Sequence, residues 1–356
     1  MLVNASMSST SVQEFSTQRL VTLSTTTKKS LSLTDDERTF FLMKCYVNPS
    51  VSMCCLLLNL LSVVIFVRAG LRKPTNVFLF ALSFADFMSQ AVSLNFAQIL
   101  RFFGPDKPLP MLKAWQYPYD VSYVLYVCDC LWDFVGYWGM YVQSSIPVII
   151  SFERIIAVFW PLHLRHWVSF KKAFAIVLAA YAFWLPWMIY SQTFTGFWFF
   201  YDKPYYFSTR GESFYFFQNK PWIIFFNTKI FQNLSSWVPV SLVLAGCVAI
   251  ALKVKMTLNK RRLLTTNSES KRWSSKTTRA LVSVCLFFTV THGIYCAVVH
   301  VFADDIENAR FNTYLAQEYL KFILSVNKVC NFFVYFWFND HFRNALRNML
   351  NFKVNL

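Results

Sequence analysis

The chain has 356 residues, of which 56% are hydrophobic and 15% charged, with 39 Phe, 17 Tyr and 12 Trp. A soluble domain carries about a quarter charged residues, and the mean hydropathy here is +0.38. These values exclude an ordinary cytosolic enzyme, a disordered protein and a secreted disulfide-rich scaffold, and they indicate an integral membrane protein.

The N-terminal segment, residues 1–45, is rich in Ser and Thr and carries mixed charges. It lacks the apolar core of a cleavable signal peptide, so we expect the first membrane span to direct insertion. Asn4 begins an Asn-Ala-Ser sequence, which is an acceptor for N-glycosylation outside the cell. The prediction is a glycosylated tail; since such a short motif also arises by chance, the alternative is a bare Asn4.

Seven apolar stretches follow the tail, and each is long enough for a helix to cross a bilayer, which takes about 20 residues. They lack the alternating pattern of barrel strands, so we predict an all-α fold, a bundle of seven transmembrane helices. The stretches are residues 46–68, 76–100, 121–158, 172–193, 231–254, 279–302 and 313–338. The predicted domains are a tail (1–45), a seven-helix domain (46–338) and a final cytoplasmic segment (339–356).

The charges of the loops predict the orientation of the bundle. The loops after the first, third, fifth and seventh stretches hold 18 Lys and Arg against two acids, Glu269 and Asp340. By the positive-inside rule, the N-terminus is extracellular and the C-terminus cytoplasmic. The net charge of +16 therefore forms collars beside the membrane, which favours contact with anionic lipids and argues against a nucleic-acid partner.

Polar residues interrupt four of the stretches, and such residues inside a membrane are costly and usually functional. Asn59 lies in the first stretch, Asp86 in the second, Glu153-Arg154 near the end of the third, and the segment 331–335 near the end of the seventh. Taken singly, Asn59 could join two helices by a hydrogen bond, and Glu153-Arg154 could be an interfacial ion pair. All four together, each on its own stretch, are improbable as a coincidence.

This series resembles the rhodopsin-like family of G-protein-coupled receptors, over about residues 46–350. The matching motifs are Asn59, Leu82-Ser83-Phe84-Ala85-Asp86, Glu153-Arg154-Ile155, Pro161, Pro239 and Asn331-Phe332-Phe333-Val334-Tyr335. Two features depart from the family pattern. Phe332 stands where the family has proline, and the sixth stretch, which would carry a switch at Phe288 and His292, lacks the kinking proline.

The resemblance implies a cell-surface receptor in the plasma membrane, with no enzymatic activity, that binds an extracellular ligand and activates heterotrimeric G proteins. Its activation switch would be formed by Glu153, Arg154, Pro161, Asn331 and Tyr335. In the inactive state Arg154 would pair with Glu153. On opening it would face the G protein.

A central polar cluster is also implied by the resemblance. Its members would be Asn59, Asp86, Gln143, Asn327, Lys328 and Asn331. In the family this cluster often holds a sodium ion; here either such an ion at Asp86 or the side chain of Lys328 would supply the positive charge. No other cofactor is expected.

The family usually joins its third span to the second outer loop by a disulfide, but residues 191–230 contain no Cys. Two alternatives stay open. One is a bridge from Cys45 to Cys128 or Cys130, and the other is a set of reduced thiols.

The second outer loop, residues 194–226, is crowded with aromatic residues and is nearly palindromic around Thr209-Arg210-Gly211-Glu212. This pattern predicts a β-hairpin that turns at those four residues, with an aromatic belt at the headgroups as the alternative. Hairpins of this kind resemble those of peptide receptors in the family, and the chain is similar to invertebrate peptide or chemosensory receptors. The candidates for the ligand entrance are Asp133, Tyr205, Tyr206, Phe214 and Tyr215.

Two familiar ligand classes are disfavoured by single positions. Gly136 occupies the place of the carboxylate that binds amines in the family, and Ser325 occupies the place of the lysine that binds retinal. Asp133, about one turn outward from Gly136, could substitute as an amine anchor.

The C-terminal segment places Phe342, Leu346, Met349 and Leu350 on one helical face, which predicts an amphipathic helix on the inner leaflet. It contains no Ser, Thr or Cys, so we expect phosphorylation-dependent arrestin recruitment to rely on the third inner loop. Two rival interpretations are a seven-helix ligand-gated channel or transporter and a non-signalling decoy receptor; the missing proline and Ile155 suggest the latter.

Overall fold

The computed structural model describes residues 35–102, 115–160, 168–202, 205–262, 271–301 and 311–351. The chain divides into one unit of Met1–Arg38 and a second of Thr39–Leu356. The packing described below belongs to the second unit. Asn4 and Pro161, both named from the sequence, lie outside the described residues.

Eight of the helices in these ranges are labelled in chain order, and the other, shorter helices are named by their residues. The labelled helices are α1 (Asp35–Ala69), α2 (Pro74–Ser89), α3 (Tyr119–Phe159), α4 (Phe170–Ser191), α5 (Trp237–Arg262), α6 (Lys271–Val301), α7 (Phe311–Phe338) and α8 (Asp340–Asn351). Each of the seven expected stretches contains a long helix, although the second, 76–100, is interrupted at residues 93–95, and the predicted all-α class is confirmed.

By length and apolar composition, six helices among the described residues could cross a membrane. They are Asp35–Ala69, Pro74–Ile99, Tyr119–Phe159, Phe170–Phe194, Phe214–Met256 and Val282–Val299. The seventh helix, α7, has 28 residues and is long enough to span a bilayer. Its hydropathy is lower because it carries polar residues such as Lys328 and Asn331, which face neighbouring helices.

Two helices extend beyond the expected boundaries. α1 begins at Asp35 and passes through a π-helical turn at Met43–Val47. The second half of the presumed outer loop is also helical: Phe214–Phe225 continues through a π-helical turn, Phe226–Phe231, towards α5. Ser213 starts this helix because its hydroxyl accepts a hydrogen bond from the backbone N–H of Phe216.

α2 lies at the centre of the packing and contacts α1, α3 and α4. Two glycines of α3 allow its close approach to α2. A Cβ at Gly139 would lie 2.6 Å from the backbone nitrogen of Ser89, and one at Gly136 would lie 2.5 Å from Val92 Cγ2. α3 also packs against α5 and α6, and α7 packs against α1 and α6, so the helices form one bundle.

α8 is tied through one buried aromatic residue to the end of the bundle that the loop charges predict to be cytoplasmic. That end is called the inner end below, and the opposite end the outer end. Phe342 is fully buried, and its ring centroid lies 5.1 Å from that of Phe66 in α1 and 5.9 Å from that of Tyr335 in α7. Asn339 begins the helix, since its side chain accepts a hydrogen bond from the backbone N–H of Phe342. The short amphipathic helix after the seventh span is thus present.

A two-stranded antiparallel hairpin, β1 (Thr195–Asp202) and β2 (Tyr205–Glu212), forms the first part of the second outer loop. The expected hairpin exists, but Thr209–Glu212 lie within β2 and do not form its turn, since Thr209 pairs with Trp198 and Glu212 with Thr195 across the two strands. Gly211 lies within β2 opposite Gly196, where a Cβ would come within 2.8 Å of the Trp198 indole. The glycine therefore makes room for an indole and does not form the turn.

The close contact between α2 and α3 predicts a position-specific effect of adding one methyl group. Gly139→Ala should destabilise the bundle by about 1–3 kcal/mol, because the helices must move apart. Gly293→Ala in α6 is the matched control, since nothing lies within 4 Å of its Cβ position, and it should be neutral or stabilising by up to about 1 kcal/mol. Thermal unfolding of the purified protein in detergent measures both, and equal melting temperatures would contradict the close packing.

Candidate functional site

A buried polar connection joins α2 to α7 in the middle of the bundle. Asp86 is fully buried, and its Oδ2 accepts a hydrogen bond of 3.0 Å from Asn331 Nδ2. One turn further along α2, Ser89 Oγ accepts a 2.7 Å hydrogen bond from Lys328 Nζ. The sequence placed Asp86, Lys328 and Asn331 in one cluster, and the structure brings them together.

The other expected members of this cluster are arranged differently. Asn59 is fully buried, but its amide donates to the carbonyl of Cys55 in its own helix at 2.9 Å. Asn327 is buried on α7, whereas Gln143 lines a cavity between α3 and α6.

The buried Lys328 decides whether the cluster suits a sodium ion. Three side-chain oxygens, Oδ1 of Asn59, Asp86 and Asn327, have no hydrogen-bond partner among the described residues, and such acceptors would suit a cation. However, the ammonium of Lys328 is itself buried and its charge already acts on Asp86. Because a sodium ion there would be repelled by this fixed charge, the residues present do not fit the ion.

At the inner end of the bundle, the side chain of Arg154 is held by two partners. Its guanidinium donates two hydrogen bonds to the Glu153 carboxylate, from Nε to Oε2 at 2.5 Å and from Nη2 to Oε1 at 2.7 Å. Nη2 also donates to Thr75 Oγ1 of α2 at 2.7 Å. Paired, hydrogen-bonded and largely buried, the arginine bridges α3 to the first turn of α2.

Tyr335 lies at the inner end of α7 and is almost completely buried. Its ring packs edge-on against Phe66 of α1, with the centroids 5.4 Å apart. Phe332, which replaces the family's proline, packs against Phe342 of α8 at 5.7 Å. The Asn331–Tyr335 segment thus connects the polar cluster to the aromatic contact with α8.

A cavity of about 210 Å³ lies between α3, α6, α7 and the segment leading into α5. Among the described residues, its walls carry hydroxyl, amide and imidazole groups and no carboxylate, ammonium or guanidinium. The lining residues are Tyr137, Met140, Tyr141, Gln143, Ser144, Asn227, Gln232, Ser235, Ser236, His292, Tyr295 and Leu324. Of the expected switch in α6, His292 reaches this cavity, and its ring stacks on Phe288 with the centroids 4.0 Å apart.

Four charged residues meet on the outer side of the cavity, and we call Arg101, Asp129, Asp133 and Arg210 the outer ion cluster. Arg210 of β2 bonds to both carboxylates, lying 3.2 Å from Asp129 Oδ2, and Arg101 reaches the same oxygen at 2.8 Å. Burial would lower the pKa of Arg210, but the two carboxylates outweigh it, so its pKa is raised above the usual range. The cluster therefore ties the hairpin to α3 through ion pairs.

The hairpin is joined to α3 by ion pairs and not by a disulfide. Cys45, Cys128 and Cys130 are all free thiols, so of the two alternatives that the sequence left open the structure shows the reduced thiols and not the bridge from Cys45. Cys45 lies beside Lys44 and Glu318, at the contact of α1 with α7, whereas Cys130 lies beside Tyr126 and Thr195 at the hairpin. The thiols therefore face different neighbours.

The remaining candidates for the ligand entrance are scattered. Asp133 belongs to the outer ion cluster and is 4% exposed. Tyr205 and Tyr206 lie on β2, paired with Asp202 and Tyr201. Phe214 and Tyr215, at the start of the helix after the hairpin, are exposed at 60% and 41%. Of the candidates whose side chains are described, Asp133 lies close to the cavity lining, one turn from Tyr137.

Several functional residues were missed from the sequence. Thr75 and Ser89 gave no signal, because each is an ordinary residue type of a helix surface until a neighbouring helix packs against it. The charge of Arg210 beside two unexplained carboxylates in the third stretch was the one available hint.

Two comparisons with known proteins bear on these sites. The family model described as "7 transmembrane receptor (rhodopsin family)" matches residues 58–335, a range that includes Asn59, Asp86, Arg154 and Tyr335. A probable G-protein coupled receptor of Caenorhabditis elegans is 23% identical over 149 residues, which cover 41% of this chain and 32% of the relative. The aligned segment thus spans about a third of that curated relative.

The buried ammonium beside Asp86 predicts that the wild-type protein does not respond to sodium. Its melting temperature should be the same in sodium chloride and in choline chloride at equal concentration. Lys328→Met should create a sodium-dependent stabilisation of about 1–3 kcal/mol, because the carboxylate then lacks its cation and ligand binding stabilises the folded state.

Two controls accompany this measurement. Lys321→Met removes a charge from the same helix, where Lys321 pairs with Glu318, and should leave the protein insensitive to sodium. Asp86→Asn combined with Lys328→Met should abolish the new response. Sodium stabilisation of the wild-type protein would contradict the assignment.

Proposed function

This chain belongs to the rhodopsin family of seven-transmembrane receptors, and from that premise we propose that it acts at the plasma membrane as a ligand-activated switch for heterotrimeric G proteins. Its N-terminus would be extracellular and its C-terminus cytoplasmic, as the basic inner loops require. The observation that carries the proposal is the closed arrangement around Arg154, whose guanidinium is held by Glu153 and Thr75.

The proposed signal is the release of this arginine. Arg154 bridges α3 to α2 in the present arrangement, so its guanidinium is occupied by groups of the receptor itself. A movement that separates Thr75 from Arg154 would leave the guanidinium held by Glu153 alone, and breaking that ion pair as well would free it to meet the G protein. An extracellular ligand produces this shift if it binds the open arrangement more tightly than the closed one.

The proposed path from ligand to switch runs along α7. The cavity reaches Leu324 on α7, and the same helix holds Asp86 through Asn331 and packs Tyr335 against α1. A ligand that displaces α7 would therefore alter both the polar cluster and the aromatic contact with α8.

The proposed ligand is a peptide or a small chemosensory molecule. A cavity of about 210 Å³ accommodates a small molecule or the end of a peptide, and the exposed Phe214 and Tyr215 near the hairpin offer aromatic surface for the remainder. Two further partners complete the proposal. Anionic lipids would meet Arg343 and Arg347 of α8, and arrestin would be recruited through phosphorylated Ser and Thr of the third inner loop.

Weakening the hold on Arg154 should activate the receptor without ligand. Thr75→Val removes a hydrogen bond to a charged group, which contributes about 1.5–3 kcal/mol, so basal nucleotide exchange on a matching G protein should rise roughly tenfold. The measurement is GTP-analogue binding in membranes reconstituted with a panel of purified G proteins.

Thr75→Ser is the matched control, because it keeps the hydroxyl and should retain wild-type exchange. Adding Arg154→Ala to Thr75→Val should return exchange to background. Equal exchange by the Val and Ser variants would contradict the role of Thr75, and no exchange with any G protein would favour a non-signalling decoy. A ligand-dependent ion current in the same membranes would favour the channel alternative.

A further inference from the structure

One face of α3 runs from the outer ion cluster into the cavity. Asp133, Tyr137 and Tyr141 are spaced four residues apart, so they lie above one another on the helix. Tyr137 and Tyr141 line the cavity, and the carboxylate of Asp133 is one turn outward. An unpaired carboxylate at this place would attract a cationic ligand to the cavity.

The carboxylate of Asp133 is not free to do so. Arg210 forms an ion pair with its Oδ2, while Asn95 Nδ2 and Gln98 Nε2 donate to its Oδ1 at 3.1 and 3.2 Å. The second carboxylate, Asp129, is likewise held by Arg101 and Arg210 and is fully buried. The cluster thus contains two negative and two positive charges, and its acceptor atoms are occupied.

Arg210 is held in this position by the backbone of the hairpin. Ser208, two residues earlier on β2, exchanges backbone hydrogen bonds of 2.7 and 3.0 Å with Trp115. Trp115 is completely buried, its indole donates to the carbonyl of Ala97 at 2.7 Å, and the guanidinium of Arg101 lies 4.0 Å from its ring centre. Both arginines are therefore fixed by contacts that do not depend on a ligand.

We propose that Arg210 is a specificity-determining residue: by neutralising Asp129 and Asp133 it makes the cavity accept uncharged, hydrogen-bonding ligands and reject organic cations. The inference rests on the proposed function in one respect, that the cavity is where the ligand binds. The cavity wall agrees with it, because the polar groups there, such as Gln143, Ser144 and Gln232, pair with amides and hydroxyls and carry no charge.

The proposal predicts a gain of cation attraction when Arg210 is lost. In Arg210→Met, Arg101 alone opposes two carboxylates, so the cluster carries a net charge of minus one beside a cavity whose described wall is polar but uncharged. A tenfold change in the local concentration of a monovalent cation corresponds to a free energy of about 1.4 kcal/mol. The attraction between a cation and an opposite charge in a partly desolvated site is at least this large.

The test measures the charge of the cavity with reagents of known charge. Ser144→Cys places a thiol in the cavity wall, and the rates of its modification by neutral methyl methanethiosulfonate, a trimethylammonium analogue and a sulfonate analogue are compared. The same receptor without the added cysteine supplies the background rate of the nine native thiols. Ser235→Cys, on another wall of the cavity, is a second reporter if the first variant does not fold.

With Arg210 present, the neutral reagent should react at least tenfold faster than either charged reagent. Arg210→Met should raise the rate of the cationic reagent about tenfold and leave the anionic reagent slow. Arg210→Lys keeps the charge and should resemble the parent protein, and Asp133→Asn added to Arg210→Met restores neutrality and should reverse the gain.

Two results would overturn the inference: a cationic reagent that is already fastest with Arg210 in place, or a cationic rate that does not change in Arg210→Met. Both rates are measured without ligand or G protein. A receptor that labels as expected but activates no G protein would therefore refute the proposed function and leave the charge assignment of the cavity standing.

Discussion

The hydrogen bond between Asp86 and Asn331 expresses the constraint on which this bundle depends. A carboxylate within a membrane is tolerated only where other polar groups meet it, and here the partner comes from a helix distant in sequence. The same requirement recurs at the inner end, where Glu153 and Arg154 meet Thr75. It recurs again at the outer end, where two carboxylates meet two guanidinium groups. In the middle of the bundle and at both of its ends, polar contacts therefore connect different elements of the fold.

α2 and the turns that follow it contribute to all three levels. Thr75 lies in its first turn, Asp86 and Ser89 near its end, and Asn95 beyond it. This central place requires close contact with α3, which Gly136 and Gly139 permit. α3 carries the residues that α2 and its following turns contact at the inner and outer ends. A small displacement between these two helices would therefore affect both the contact of Arg154 with Thr75 and the outer ion cluster.

Two cations of this chain occupy places that relatives would fill by other means. Lys328 places an ammonium beside Asp86, where the resemblance suggested a sodium ion. Arg210 ties the hairpin to α3, where the resemblance suggested a disulfide. A tethered charge does not depend on sodium concentration or on the redox state of the surroundings. Removing one partner of a buried ion pair strongly destabilises the folded protein. Each of these two cations therefore supports both the fold and the site.

The sequence by itself determined the features that depend on neighbouring residues along the chain. Apolar runs of sufficient length defined seven helices, the periodic spacing of Phe342 and its neighbours defined α8, and alternating aromatic residues defined a hairpin. Polar residues that stand out in apolar runs, such as Asp86 and Arg154, were recognisable for the same reason. Only the tertiary structure decided their partners: Thr75 for Arg154, Ser89 for Lys328 and Arg210 for Asp133. It also placed Thr209–Glu212 within a strand and left Cys45 without a bridge. Hydropathy and periodicity are local properties, whereas a side chain's partner depends on how each helix is rotated and how closely it packs, which no single stretch of sequence contains.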